Sequence, residues 1–185
     1  MYLKKNNDRT NRKMPIIERG FLHKTIITIT VTAIISSVCF KYILIPGLVP
    51  SSSMEPTLKV GDWGFANGLA YICNRPDRGD IIVFYNDESD CLLIKRVIGL
   101  PGDTVSIYDG HVYINDALLD EDYIAESVDT YSQINDFYVP EDHYFVLGDN
   151  RTSSSDSRYW EDPYISIRSI KGKYLIKLFN FNRNN

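Results

Sequence analysis

Cys91-Leu92-Leu93-Ile94-Lys95-Arg96-Val97-Ile98 is the stretch from which the fold can be read. Its β-branched and aliphatic residues favour an extended chain. In a strand, Leu93, Lys95 and Val97 share one face and Leu92, Ile94, Arg96 and Ile98 the other. Both faces are mainly apolar, so the segment is expected inside a sheet, with neighbours on both sides. Lys95 is then carried among apolar side chains.

Working outward, the same grammar recurs. Ile81 to Tyr85 is a second apolar strand, entered through the turn Arg78-Gly79-Asp80, and Gly61 to Ala66 is a short one before it. After the turn Gly99-Leu100-Pro101-Gly102-Asp103, Thr104–Tyr108 and His111–Ile114 flank Asp109-Gly110, a hairpin signal. Asn115-Asp116 marks a further turn, and residues 120–140 are acidic with little pattern. Tyr144 to Leu147 and Tyr174 to Phe179 read as closing strands. Short strands, tight turns and no amphipathic helix point to a mainly β domain.

Upstream, Thr25 to Ile45 is a 21-residue apolar run with Lys41 as its single charge. As a helix it spans about 31 Å, close to the hydrocarbon thickness of a bilayer. Lys41, near the far end, can snorkel to the headgroups. The first 24 residues carry seven basic side chains against two acidic ones, leaving 13 basic and 22 acidic residues in the remainder. A basic flank before a span predicts a cytoplasmic N-terminus and an exported body. A cleaved signal would want a small-x-small site after the apolar run, and Ser-Val-Cys-Phe-Lys is a poor one, so the span reads as an uncleaved anchor.

The acidic body speaks against nucleic-acid binding, which needs clustered Lys and Arg. No CxxC or His-rich cluster suggests a metal, and no cofactor is expected. Of three cysteines, Cys39 lies in the apolar run. Cys73 and Cys91 could pair in an oxidising space, but read better as buried thiols.

Between the anchor and the first strand stands Pro50-Ser51-Ser52-Ser53-Met54-Glu55-Pro56-Thr57-Leu58. It is either a tight turn presenting a serine or a flexible linker. A nucleophilic serine needs a base. His23 precedes the span, His111 follows a hairpin tip and His143 precedes a strand, which leaves a lysine as the remaining candidate, and Lys95, inside CLLIKRVI, has the apolar surroundings for it. A lysine acts as a base only when neutral. Lowering its pKa from about 10.4 toward 7–8 costs about 4 kcal/mol, which burial can supply. The competing reading of Lys95 is a snorkelling or ion-paired strand lysine.

SSSMEPTL, RGDIIVF, KRVIGLPGD and GDNRTSSSDSR, in this order behind one N-terminal span, together resemble the bacterial type I signal peptidases over about residues 25–179. The resemblance implies a Ser-Lys endopeptidase that removes signal peptides from exported preproteins through an acyl-enzyme. It prefers small residues at the first and third positions before the cut. Matched by motif, Ser53 would be the nucleophile and Lys95 the general base, with Ser51 joining the Ser53 backbone N–H in an oxyanion hole. Ser154 would orient the lysine amine. Asp156 and Arg158 would form an ion pair beside the site, with Arg96 nearby and Asp149 and Asn150 as loop scaffold. By position, Val49, Pro50, Met54, Leu58, Val83, Leu93 and Ile94 are the pocket candidates, with substrate lying extended near Pro50 and Leu93.

The architecture implied is an antiparallel β-sheet catalytic core preceded by one transmembrane helix. Residues 1–24 would be a cytoplasmic tail, 25–45 the anchor and 46–185 the exported domain. The core would span about 46–100 and 144–180, with a β-rich insert of about 101–143 hanging from it. The expected partners are signal-peptide-bearing preproteins and the lipid bilayer, with no nucleic acid and no metal. The alternative is an inactive membrane-anchored β-domain that binds extended peptides.

Overall fold

The computed structural model describes residues 16–124, 128–134 and 136–180, with side chains of 16–19 and 176–180 left aside. The first fifteen residues of the expected tail, and the last five of the chain, lie outside the described residues. The chain divides into a unit ending at Cys39 and a second unit from Phe40 onward.

The first unit contains the helix α1, Ile16–Val38. A helical segment long and apolar enough to cross a membrane runs Gly20–Ile43, with mean hydropathy 1.9. Its threonines would be polar liabilities in an apolar setting, and three of the four are satisfied within the helix. Thr25, Thr28 and Thr30 each donate their hydroxyl to the carbonyl four residues earlier, at 2.9–3.0 Å, so the helix satisfies them itself. The helix begins inside the polar head, at Ile16, and the apolar run continues as a π-helical turn over Cys39–Ile43.

In the second unit, the end of that run is a strand. Leu44 and Ile45 open β1 (Leu44–Leu48), which the apolar run had concealed. β1 forms the outer edge of the large sheet, where Pro46, with no N–H to donate, is tolerated. The other strands are β2 (Asp62–Asn67), β3 (Ile81–Asn86), β4 (Cys91–Gly99), β5 (Thr104–Tyr108), β6 (His111–Ile114), β7 (Ala117–Leu118), β8 (Asp136–Tyr138), β9 (His143–Leu147), β10 (Ile165–Ser166) and β11 (Ile170–Asn180). Seven form one antiparallel sheet in the order β1-β2-β11-β3-β4-β9-β10. Four form another, β7-β6-β5-β8. The architecture is thus mainly antiparallel β with one N-terminal apolar helix.

β4 lies between β3 and β9, the interior place its two apolar faces require. Val97 packs with Ile82, Phe84, Tyr144 and Val146 on one side. Ile98 packs with Val105, Phe137, Phe145 and Leu147 on the other. The second cluster draws on both sheets, so the smaller sheet shares a core with the larger. The β5–β6 hairpin turns through Asp109 and Asn115-Asp116 ends β6, all with positive φ, as short polar turn residues allow. β8, only three residues long in the acidic stretch, carries too little pattern to be read in advance.

Gly99 sits at the seam of the two sheets. A Cβ there would lie 2.6 Å from Val105 Cγ2, 2.8 Å from Val139 Cγ2 and 3.0 Å from Phe145 Cβ. All three neighbours are fully buried. Gly99→Ala is therefore expected to destabilise the domain by about 1–3 kcal/mol through overpacking, read as a lowered urea midpoint at unchanged m. An unchanged midpoint would show that the seam has slack.

Cys73 and Cys91 are free and exposed, which corrects the expectation of buried thiols. Each lies at the margin of a polar turn, Cys91 beside Ser89, where nothing packs over it.

Candidate active site

The serine stretch is a turn, not a linker. Ser52–Met54 form one 3-10 turn, closed by Glu55 N–H on Ser52 O at 3.0 Å. Its apolar underside pins it to the sheet: Met54, Val49 and Leu58 are buried together against Ile81, Ile94 and Tyr174. Its upper side is held by the loop after β9. Asn150 N–H donates to Ser53 O at 3.0 Å, and Asn150 Nδ2 to Ser52 O at 3.2 Å. Thr57 Oγ1 donates to Asp149 Oδ2 at 2.5 Å.

Lys95 reaches this turn from the middle of β4. Its Nζ lies 2.8 Å from Ser53 Oγ, and the two residues are only 3% and 8% exposed. Burial holds the Lys95 amine below the ordinary lysine range. Asp156 and Asp149 oppose that shift, and Arg158 adds to it. Ser51 Oγ lies 3.3 Å from Ser53 Oγ on the exposed side of the turn. A buried amine within hydrogen-bond reach of a serine hydroxyl is the geometry general-base activation requires.

Ser154 is brought close to the Ser53 turn but makes no hydrogen bond to Lys95. Its Oγ is buried and has no partner among the described residues. Asp156 and Arg158 form the expected ion pair, at 2.8 Å and almost fully buried. Asp156 Oδ2 also accepts Gly148 N–H at 3.0 Å, which ties the loop back on itself. Arg96 belongs to a different pair: its guanidinium forks onto Asp149 at 2.8 and 2.6 Å. Asp149 is therefore more than scaffold, since it joins β4 to Thr57 in the serine turn.

A cavity of about 160 Å³ opens beside the Ser53–Lys95 pair, and its walls are mainly apolar. Of the pocket candidates, Val49, Pro50, Met54, Val83, Leu93 and Ile94 line it. Leu58 does not; it is buried beneath the turn with Met54, because the turn folds it under the sheet side. The wall that sequence reasoning missed is Ile45–Leu48 of β1, Gly64 and Ala66 of β2, Leu92, and Tyr174 of β11. The signal that could have found it was the Pro46-Gly47 break at the end of the apolar run. His111 and His143 do not line the cavity. His143 Nδ1 instead contacts Glu141 O at 2.7 Å. Among the described residues no cluster of His, Cys, Asp and Glu could hold a metal ion.

A family model described as signal peptidase, peptidase S26, matches residues 22–179. The chain is 42% identical over 159 residues to the probable signal peptidase I-2 of a Synechocystis strain, covering 80% of this chain and 70% of that one. It is 41% identical over 143 residues to signal peptidase I of Leptolyngbya laminosa, covering 73% and 68%. It is 37% identical over 139 residues to signal peptidase I S of Bacillus subtilis, covering 70% and 74%. A solved structure of a signal peptidase I from Enterococcus faecalis is 38% identical and covers 56% of this chain and 98% of that one, with a TM-score of 0.46.

Proposed function

The chain belongs to the signal peptidase family, peptidase S26, serine endopeptidases that remove signal peptides, and from that premise we propose that Ser53 is its nucleophile and Lys95 its general base. The observation that carries this reading is the 2.8 Å approach of a buried amine to a buried serine hydroxyl. In the neutral state Lys95 takes the Ser53 proton as Oγ attacks the carbonyl before the scissile bond. The Ser53 N–H and the Ser51 hydroxyl receive the developing oxyanion. Lys95 then returns the proton to the departing amine, leaving the signal peptide acylated on Ser53. A water, deprotonated by Lys95, releases it. Ser154, whose buried hydroxyl has no partner among the described residues of the free enzyme, turns toward the amine and orients it when substrate is bound. Asp156 and Arg158 hold the loop that carries it.

The substrates are preproteins bearing signal peptides. The cavity walls include Gly47, Gly64 and Ala66, and a small apolar cavity accepts alanine-sized side chains at the first and third positions before the cut. The substrate lies extended past Pro50 and Leu93, pairing its backbone with the strand edges there. The apolar helix anchors the protein in the bilayer. Its basic flank stays cytoplasmic and the domain that begins with β1 at Leu44 is exported, with 101–143 as its insert.

The test is a pH profile of cleavage, using a preprotein with alanine at both specificity positions. A base must be unprotonated to work, so kcat/KM should rise about tenfold per pH unit toward the Lys95 pKa. Because burial lowers that pKa, the rise should level off below about pH 10.4, the ordinary lysine value. A rate independent of pH, or one that climbs without levelling through that value, would remove Lys95 from the role.

A further inference from the structure

Two arginines outside the dyad, Arg96 and Arg151, are tied to one short stretch that follows β7. The Arg151 side chain is fully buried and meets Glu121, itself 8% exposed in its side chain, at 2.5 Å. Its second nitrogen donates to Glu121 Oε2 at 3.2 Å and to Thr130 Oγ1 at 2.6 Å. Tyr123 OH donates to the same Glu121 carboxylate at 2.7 Å. The ring of Tyr123 in turn carries the Arg96 guanidinium 3.9 Å from its centroid.

Both arginines grip adjoining residues of the loop after β9. Arg96 holds Asp149, and Arg151 Nε donates to Gly148 O at 3.0 Å. The next residue, Asn150, holds the Ser53 carbonyl. One buried carboxylate thus neutralises one arginine and fixes the ring under the other. Only Arg151 and its chain neighbour Asn150 separate it from the nucleophile's own backbone. Without Glu121, Arg151 would be a buried cation with no paired anion. Asp156, which also attracts it, already holds Gly148 N–H and Arg158. Re-pairing there would drag the loop.

We propose that Glu121 is a positioning residue for the Ser53–Lys95 pair: it locks the smaller sheet onto loop 148–150 and so sets the height of the serine turn against Lys95. This rests on the reading of Ser53 and Lys95 as the dyad. Buried ion pairs broken on one side leave an uncompensated charge, which is why the effect should be large. A displacement of about 1 Å at a reacting pair costs about 10²-fold in rate.

The experiment compares full-length wild type, Glu121→Ala, Glu121→Gln and Ser53→Ala in detergent micelles, well below each melting temperature. Glu121→Ala is expected to lose about 10²-fold in kcat with KM unchanged, since the cavity walls are untouched. Glu121→Gln, whose amide oxygen still accepts one bond, should fall in between. Phosphonylation of Ser53 by a small serine-directed fluorophosphonate, in which Oγ displaces fluoride from phosphorus, should slow in parallel, because that probe needs the dyad and not the cavity. A lowered melting temperature with wild-type kcat, or a rise in KM alone, would overturn the proposal. If Glu121→Ala does not fold, Glu121→Gln carries the same readouts. Wild-type cleavage that survives Ser53→Ala would instead sink the dyad reading on which the proposal stands.

Discussion

Replacing Lys95 with methionine is expected to reduce preprotein cleavage by about 10⁴-fold or more while leaving the fold intact. The two halves of that result have separate causes. Lys95 is 3% exposed and its amine is disfavoured by burial in its charged form. Methionine has nearly the same length and no charge to desolvate, so the melting temperature should hold or rise. The hydroxyl of Ser53, however, loses the amine that lies 2.8 Å from it. A serine without a base is a poor nucleophile. Ser53→Ala should match the loss, and the double variant should be no worse than either single one, because the two groups act as a unit. Cleavage of a purified preprotein, followed by gel or mass shift, measures all three. Activity of Lys95→Met within tenfold of wild type would end the dyad assignment.

Gly148→Ala is the second large effect, and its cause is space, not backbone freedom. A Cβ at Gly148 would overlap Ser154 Oγ and stand 2.5 Å from the Ser53 carbonyl oxygen. The residue cannot retreat easily. Its N–H is bound by Asp156 and its carbonyl by Arg151. The methyl must therefore push the Ser53 turn away from β4 or displace the loop. Either movement separates Ser53 from Lys95, for an expected fall of about 10²-fold in kcat and about 1–3 kcal/mol of overpacking. Adding Ser154→Ala to Gly148→Ala removes the contact with Ser154 Oγ but leaves Ser154 Cβ, 2.6 Å away, and the Ser53 carbonyl. It should recover part of the stability while activity stays low, since the Ser53 carbonyl is still crowded. Full activity in Gly148→Ala would show that the close approach of loop and turn is dispensable.

These two residues also mark where sequence reasoning reached and where it stopped. Lys95 was visible because CLLIKRVI is apolar on both faces, and a strand of that kind is covered on both sides. The Asp109-Gly110 hairpin was visible because its turn chemistry is local. The demand for close approach at Gly148 was invisible, since the atoms it would strike belong to Ser53 and Ser154. β1 was hidden for a related reason. Leu44 and Ile45 prolong an apolar run, and hydropathy does not distinguish a span's end from an edge strand's beginning. Leu58 was placed in the cavity wall by its proximity to Ser53 in the chain, but the turn folds it underneath.

Sequence alone determined the strands with two apolar faces, the turns and the ordered motif set that marks the family. These depend on side-chain period and backbone preference over a few residues. Tertiary structure decided which charges pair and what surrounds the amine. Ser53 and Lys95 are 42 residues apart in the chain, Arg96 and Asp149 are 53, and Thr57 and Asp149 are 92. Ion pairing and proton affinity are set by desolvation and by the charges that folding gathers around a group. A local pattern can nominate the lysine, but only its packed surroundings can lower its proton affinity.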